Sequence, residues 1–289
     1  MATTLSTSIA LALCSHRKIW SLKFNEQQIT RYSRHILLDQ IGGTGQASLI
    51  KSKVLVIGAG GLGSPILLYL AAAGVGTIGI IDDDLVDLSN LQRQILHKTH
   101  SVGTAKVLSA KKTIYEINPE VQVIPIQERF GPDNAMNLVA QYDLVADGCD
   151  NFETRFLVND ACYFSHKTLV SAAILRFDGQ IYTFKPHEKD TKGNQLPCYR
   201  CLFPKTPPPG EIPTCSEAGV LGALCGTIGS LQTTEIVKEL LGIGESLAGS
   251  LIVYEGLSST YRKIIVKADP DCPLCGADPK LLDLSSHAK

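Results

Sequence analysis

The sequence predicts an α/β protein built on a Rossmann-like, doubly wound and mostly parallel sheet that continues into an antiparallel part. Three observations support this fold class. A β-branched run at 54–57 leads through a glycine-rich turn into a helix. Strand and helix patterns then alternate to about residue 170, which requires crossovers and hence parallel strands covered on both faces. Later strands alternate with period two, which is typical of antiparallel pairs, at 169–173, 176–184, 251–254 and 261–267.

The other elements follow from local periodicity. Apolar residues recur at helical spacing in five further segments, which predicts helices at 26–37, 104–117, 133–140, 154–164 and 220–241. Short apolar or alternating runs predict strands at 77–81, 121–126 and 144–146. The charged and then proline-rich stretch 185–214 fits none of these patterns, and we expect it to be a flexible crossover over the site.

The glycine-rich turn predicts a nucleotide site. Its glycines, Gly58, Gly60, Gly61 and Gly63, allow the backbone to approach a phosphate. Ser64 and Pro65 are predicted to be the cap and the first position of the next helix, whose free N–H groups favour an anion. Asp82 follows the next strand, nineteen residues after Gly63, where an acid commonly binds a ribose hydroxyl.

The next segment indicates which nucleotide is bound. Similar glycine turns bind NAD, FAD, S-adenosylmethionine or ATP, so the turn alone does not choose. Ser89 and Asn90 precede Arg93, and Lys106 follows, which adds two cations beyond the ribose acid. Two cations suit a triphosphate better than the bridging phosphates of NAD. We therefore predict that the site binds ATP. One alternative is that this segment is only a solvated loop followed by a surface lysine, and another is that the protein is an NAD-dependent oxidoreductase.

Acidic residues follow the strand at 144–146, at the sheet edge where ligands of such folds lie. Mg²⁺ typically takes one or two protein carboxylates beside phosphate oxygens. We predict that Asp150 holds Mg²⁺ or positions phosphate. Helix capping by Asp150 and Asn151 is the alternative, and the role of Asp147 stays open.

Two CxxC pairs predict a structural zinc site. They are Cys198 with Cys201 and Cys272 with Cys275, separated by 70 residues. Four thiolates form a closed tetrahedral Zn²⁺ site with no open position for water. The alternative, two redox dithiols, is disfavoured because neither pair follows the first strand of a thioredoxin-like pattern.

Among the remaining cysteines, Cys215 is the candidate nucleophile. It lies at the end of the proline-rich stretch, just before the predicted helix at 220–241, whose N-terminus would lower a thiol pKa. Cys225 lies inside that helix. We expect Cys225, Cys149 and Cys162 to be packed in the core.

The composition disfavours some classes of binding partner and indicates the cellular compartment. With 289 residues, 44% of them hydrophobic, the chain can bury a full core. The net charge of −1 gives no support to nucleic-acid or membrane binding. No apolar run reaches the roughly 18 residues of a membrane span. Residues 1–24 lack a signal-peptide pattern and are expected to be poorly ordered. Nine cysteines, an odd number, favour a cytoplasmic location.

The motifs occur together in the order of a known family. GAGGLGS, Asp82, SNLQRQ, Lys106 and DGCDN resemble the E1-like adenylyltransferases that activate ubiquitin-like sulfur carriers, and are most similar to the molybdopterin-synthase and thiazole-biosynthesis group. The resemblance runs from about residue 28 to about 276. It implies one adenylation domain at 25–289, with a nucleotide-binding half at about 50–170 and a carrier-binding, zinc-containing half at about 171–280.

The resemblance also implies residue roles. In the family that RYSRH resembles, the second arginine, here Arg34, reaches the ATP phosphates of the other subunit, which implies a homodimer. Asn151 would contact the nucleotide. A cysteine at the position of Cys215 can link covalently to the carrier as a thioester or an acyl disulfide, although not every member needs it. The catalytic set is thus Arg34, Arg93, Lys106, Asp150 and Cys215.

The implied reaction is ATP plus a carrier carboxylate giving carrier acyl-adenylate and pyrophosphate. The carboxylate is already ionised at neutral pH, so the reaction needs alignment and charge neutralisation rather than a protein base. A molybdopterin-synthase small subunit is the preferred carrier and the thiamine-pathway carrier is the alternative. A tRNA-modifying dehydratase branch of the superfamily fits less well, because it would favour a basic surface.

Overall fold

A computed structural model describes residues 24–208 and 218–288. The predicted poorly ordered extension, apart from residue 24, and Cys215 lie outside the described residues. Among the described residues, the first two elements are the helices α1 (Glu26–Ile36) and α2 (Gly42–Lys51). The side chain of Asn25 caps α1 by accepting a hydrogen bond from the Gln28 N–H.

The remaining elements follow the predicted alternation. In chain order they are β1 (Lys53–Ile57), α3 (Gly63–Ala73), β2 (Thr77–Ile81), α4 (Lys106–Ile117), β3 (Gln122–Ile126), α5 (Pro132–Ala140), β4 (Leu144–Asp147), α6 (Phe152–Phe164), β5 (Thr168–Leu175), β6 (Asp178–Phe184), α7 (Tyr199–Leu202), α8 (Gly222–Leu241), β7 (Ser250–Glu255) and β8 (Thr260–Ile265).

Within residues 24–208 and 218–288, eight strands form one sheet in the order β3-β2-β1-β4-β5-β6-β7-β8. The pairs β3/β2, β2/β1, β1/β4 and β4/β5 are parallel. The pairs β5/β6, β6/β7 and β7/β8 are antiparallel. The predicted fold class, a mostly parallel doubly wound sheet that continues into an antiparallel part, is confirmed.

Helices cover the parallel strands on both faces. One apolar cluster packs α3, α4 and α8 against the sheet through residues such as Ile66, Ile114 and Ile236. A second cluster packs α5 and α6 against the opposite face through residues such as Val139 and Phe156. Because both faces are buried, β1, β2 and β4 are almost continuously apolar.

The helix starts differ from the predictions. The helix after the glycine turn starts at Gly63, and Ser64 donates its hydroxyl to the Gly60 carbonyl instead of capping the helix. α6 begins at Phe152, two residues earlier than predicted, because Asn151 caps it. α2 was not predicted, since GGTGQASLIK is rich in glycine and has a weak apolar pattern.

The stretch predicted as a flexible crossover contains regular structure in its described part, 185–208. It includes α7 and an isolated bridge between Lys189 and Gln195. A buried network joins α7, α6 and the C-terminal segment. Arg200 donates three hydrogen bonds to the Asp160 carboxylate, the shortest from Nη2 to Oδ2 at 2.7 Å, and His287 Nε2 lies 2.7 Å from the same oxygen. Across the described residues, no helix is both long and apolar enough to cross a bilayer.

Candidate nucleotide site and metal centre

A cavity of about 610 Å³ opens at the carboxyl ends of β1, β2 and β4. This is the edge at which open α/β sheets bind ligands. Eight of the sequence-predicted site residues line it, namely Gly58, Gly60, Gly61, Asp82, Arg93, Lys106, Asp150 and Asn151. Residues that lie up to 93 positions apart in sequence therefore share one cavity.

The glycine turn needs glycine at two positions for different reasons. Gly58 has a φ of 90°, and a Cβ there would lie 3.1 Å from the Gly148 carbonyl oxygen. Gly63 does not line the cavity, but a Cβ at Gly63 would overlap the Gly58 carbonyl. Gly58 and Gly63 thus allow two stretches of backbone to cross closely at the start of α3.

Asp82 binds the turn directly. Its Oδ2 accepts a hydrogen bond of 2.8 Å from the Ala59 N–H, and its Oδ1 accepts one of 2.9 Å from the Asp84 N–H. Burial raises the pKa of Asp82, and the nearby Lys106 ammonium opposes that shift. The residue predicted to bind a ribose is therefore also an anchor of the glycine turn.

Lys106 and Arg93 bring two cations to the cavity. Lys106 is the first residue of α4 and is only 6% exposed, which excludes the alternative of an ordinary surface lysine. Its Nζ lies 2.6 Å from Asp84 Oδ2 and 4.0 Å from Asp82 Oδ1. Arg93 is half-buried, and its Nη1 donates to the Ser89 carbonyl at 3.0 Å.

Ser89 and Asn90 support Arg93 and do not line the cavity. The Ser89 hydroxyl donates to Asp87 Oδ1 at 2.6 Å, and the Asn90 side chain accepts from the Asp87 N–H at 3.1 Å. These bonds close the short 3₁₀ turn Leu88–Asn90 that precedes Arg93. Their predicted contact with the nucleotide stays a prediction.

Asp147, whose role the sequence left open, is the buried centre of a polar network. Its Oδ1 accepts from the Cys149 N–H at 2.9 Å. Its Oδ2 accepts from the Ser171 hydroxyl at 2.6 Å and from Arg155 Nε at 3.3 Å. The network fixes the loop that carries Asp150, whose exposed carboxylate lines the cavity.

Arg155 is a site residue that sequence reasoning missed. Its Nη2 donates to the carbonyls of Cys149 and Ala172 at 3.0 and 3.2 Å. Burial acts to lower the pKa of Arg155, but the Asp147 carboxylate raises it overall, so the side chain stays charged. The only sequence signal is a cation at a core-facing position of α6.

Two further predictions concern residues at the edge of this site. Asn151 accepts from the Thr154 N–H at 2.9 Å, so the capping alternative holds for Asn151 while it also lines the cavity. Arg34 is exposed on α1 and is not among the cavity-lining residues of its own chain. Its predicted role needs a second subunit and stays a prediction.

The cysteine predictions are confirmed where they can be compared with the structure. Cys149, Cys162 and Cys225 are buried, as expected for core residues. Burial is the main cause that raises the pKa of Cys149 and Cys162, which disfavours their thiolates.

The two CxxC pairs form one cluster. The four Sγ atoms all lie within 4.8 Å of one another, and the distances from Cys198 to Cys201, Cys272 and Cys275 are 3.9, 3.6 and 3.4 Å. Four thiolates bound at 2.3 Å to a tetrahedral metal would lie about 3.8 Å apart. The cluster therefore fits a single tetrahedral metal ion.

Comparison with known proteins agrees with this geometry. The sequence pattern of the ThiF family matches residues 32–274. The chain belongs to the ThiF family. It is 47% identical to the sulfur carrier protein adenylyltransferase of Thermus thermophilus, over 92% of this chain and 97% of that protein. It is 46% identical to the SAMP-activating enzyme E1 of Haloferax volcanii, over 89% and 92%.

Two longer proteins also match. The protein named "probable adenylyltransferase/sulfurtransferase MoeZ" of Mycobacterium tuberculosis is 49% identical, over 86% of this chain and 63% of that protein. The crystal structure of E. coli MccB with MccA-N7isoASN has a TM-score of 0.73 at 21% identity, over 87% of this chain and 76% of that one, which shows the shared fold. The protein is an adenylyltransferase of the E1-like type.

Proposed function

We propose that this protein adenylates the C-terminal glycine of a small ubiquitin-like sulfur carrier, with ATP as the second substrate. The observation that carries the proposal is the single cavity in which the glycine turn, Arg93 and Lys106 meet. A glycine turn at a helix N-terminus supplies N–H donors for phosphate, and two cations match a triphosphate. The relatives named as sulfur carrier and SAMP-activating enzymes support the carrier as the acceptor.

The reaction joins a carrier carboxylate oxygen to the α-phosphorus and breaks the bond to the leaving pyrophosphate. The nucleophile is already ionised, so no side chain has to remove a proton from it. The Arg93 guanidinium and the Lys106 ammonium neutralise charge on the departing phosphates. Lys106 pairs with Asp84, whose side chain is 67% exposed. A phosphate can therefore replace the Asp84 carboxylate without burying a lone charge.

Asp150 is the proposed protein ligand of Mg²⁺. The residue fits this role because its exposed carboxylate lines the same cavity as the glycine turn. Mg²⁺ usually keeps several waters and takes one or two carboxylates beside phosphate oxygens. When bound there, Mg²⁺ would neutralise phosphate charge during the transfer.

The other half of the mechanism involves a second subunit and the carrier. We propose a homodimer in which Arg34 of one subunit reaches the phosphates bound by the other, which agrees with its exposure on α1. Cys215 of this protein is proposed to form a covalent link to the carrier, as a thioester or an acyl disulfide. The Cys198, Cys201, Cys272 and Cys275 cluster is proposed to hold structural Zn²⁺, which suits four thiolates without an open position.

A molybdopterin-synthase small subunit is the proposed carrier, and the thiamine-pathway carrier is the alternative. The test mixes the purified protein, MgATP and each carrier, and measures carrier mass. Formation of an acyl-adenylate, with pyrophosphate released in equal amount, supports the proposal. A carrier that ends in alanine or lacks its last residue is the matched control. Oxidation of NADH without pyrophosphate release would favour the oxidoreductase alternative instead.

A further inference from the structure

The peptide groups of the glycine turn are held from behind by three side chains. Asp82 accepts from the Ala59 N–H, as described above. His97 Nε2 lies 2.8 Å from the Ala59 carbonyl oxygen. Ser64 donates its N–H and its hydroxyl to the Gly60 carbonyl, at 2.9 and 2.7 Å. The sequence predicts a role for Asp82 and none for His97.

The proton of His97 can be assigned from its two partners. A carbonyl oxygen only accepts, so Nε2 carries the hydrogen that binds Ala59. Nδ1 then accepts from the Ser109 hydroxyl, at 2.9 Å. The side chain is 5% exposed, and burial is the main cause that lowers the pKa of His97. A neutral imidazole with one defined tautomer thus lies beneath the turn.

Fixing a carbonyl also fixes the following N–H. No peptide bond of the described residues is cis, and in a trans peptide the C=O and the next N–H point in opposite directions. With the Ala59 carbonyl aimed at His97, the Gly60 N–H points to the opposite side, and Gly60 lines the cavity. Among the described residues, neither the Gly60 nor the Gly61 N–H donates to a protein acceptor.

We propose that His97 is a positioning residue for the nucleotide, which aims the Gly60 N–H at a phosphate by holding the Ala59 carbonyl. This inference rests on the proposed function, because the phosphate belongs to bound ATP. His97 lies 38 residues from Ala59 and does not line the cavity, so it acts through the backbone alone. Ser109 serves the same purpose one step further away, by fixing the tautomer.

The test measures MgATP affinity by calorimetry in the full chain and two matched variants. In His97→Gln the side-chain amide reaches about as far as Nε2 and can donate to Ala59. His97→Asn reaches only the position of Nδ1, so it keeps the Ser109 contact and loses the Ala59 bond. We expect His97→Asn to weaken MgATP binding about tenfold and the affinity of His97→Gln to stay within about threefold of wild type. Ser109→Ala should lie between them.

A second readout separates positioning from general damage. The Asn variant should raise the KM for ATP while the KM for the carrier and the kcat at saturating ATP stay near wild type. Equal MgATP affinity of the Asn variant and wild type, with matched thermal melting, would overturn the role of His97. An equal loss of MgATP affinity in His97→Gln and His97→Asn would also overturn this role, because the hydrogen bond donated to the Ala59 carbonyl would then make no difference. Should His97→Asn fail to fold, an MgATP affinity of Ser109→Ala equal to that of wild type serves as the contradicting result. If wild type itself binds no MgATP, the proposed function fails first.

Discussion

The parallel strands β1, β2 and β4 and the antiparallel strands β7 and β8 belong to one sheet but are covered very differently. The first three are buried along almost their whole length by helices on both faces. β7 is half-buried throughout, and every residue of β8 is exposed. The nucleotide strands are thus held by apolar packing on both faces, whereas β7 and β8 bury less of their surface, and the metal proposed for the four clustered cysteines would add a local constraint in that half.

This difference explains where precise geometry is found. In the parallel half, rigid strands end at the cavity, and buried polar groups such as Asp147, Arg155 and His97 hold the loops that follow them. The segments that follow β6 and β8 carry the corresponding constraints, namely the thiol cluster and the Arg200 and His287 contacts with Asp160 of α6. Mutations should therefore have different consequences in the two halves.

The largest expected effect comes from removing the metal proposed for the thiol cluster. A structural zinc contributes on the order of 10 kcal/mol, which is comparable with the stability of a whole domain. A chelator, or Cys272→Ser, should raise hydrogen exchange at 196–203 and 268–284 far more than in β1 and β2. Mass spectrometry of the peptides and metal analysis check this. Cys162→Ala, at a buried cysteine outside the cluster, should not change the zinc content. The metal proposal would be refuted if the purified protein carried no zinc and its hydrogen exchange did not change with the chelator or with Cys272→Ser.

The next effect tests the buried network of the parallel half. Asp147→Ala leaves the Arg155 guanidinium buried without its carboxylate, which typically costs about 3 to 5 kcal/mol. The free energy of unfolding in urea measures this. Ser171→Ala removes one hydrogen bond to the same carboxylate and should cost only about 1 kcal/mol. Equal stabilities of the two variants would contradict the central role of Asp147.

Two glycine substitutions distinguish a steric requirement for glycine at a close backbone contact from the ordinary cost of glycine within a helix. Gly63→Ala places a Cβ against the Gly58 carbonyl, so we expect a loss of about 1 to 3 kcal/mol and weakened MgATP binding. Gly226→Ala points into open space within α8 and should stabilise the protein by up to about 1 kcal/mol. Thermal melting distinguishes the two. A tolerated Gly63→Ala would show that the turn can move.

The smallest effects should be equal in both halves. Lys98 and Glu116 form an exposed ion pair of 2.9 Å in the nucleotide half, and Arg262 and Glu255 form another on β7 and β8. Exposed pairs contribute less than about 1 kcal/mol each. Lys98→Ala and Arg262→Ala should therefore change the urea midpoint little and to a similar extent. A large effect of either one would show that surface charges, and not burial, separate the halves.

The sequence was informative where local pattern determines structure. The glycine turn and the alternation of strands and helices correspond to short-range features, and they were predicted correctly. The CxxC spacing also identified the four cysteines that cluster, although the two pairs are 70 residues apart. The missed features depend on contacts between distant segments. Neither the 38-residue separation of His97 from Ala59 nor the pairing of Arg155 with the Ala172 carbonyl leaves a local pattern. Lys106 was expected in the site, but only the packing of α4 explains its burial.

We propose that the cavity holds ATP with Arg93 at its phosphates. Carrier-dependent exchange of labelled pyrophosphate into ATP tests it most directly, in wild type, Arg93→Ala and the surface control Arg262→Ala. Losing one such charge costs about 3 kcal/mol of transition-state stabilisation, so Arg93→Ala should lower exchange about a hundredfold or more. Its melting temperature should stay near wild type, and Arg262→Ala should exchange normally. Near-normal exchange by folded Arg93→Ala protein would contradict the account.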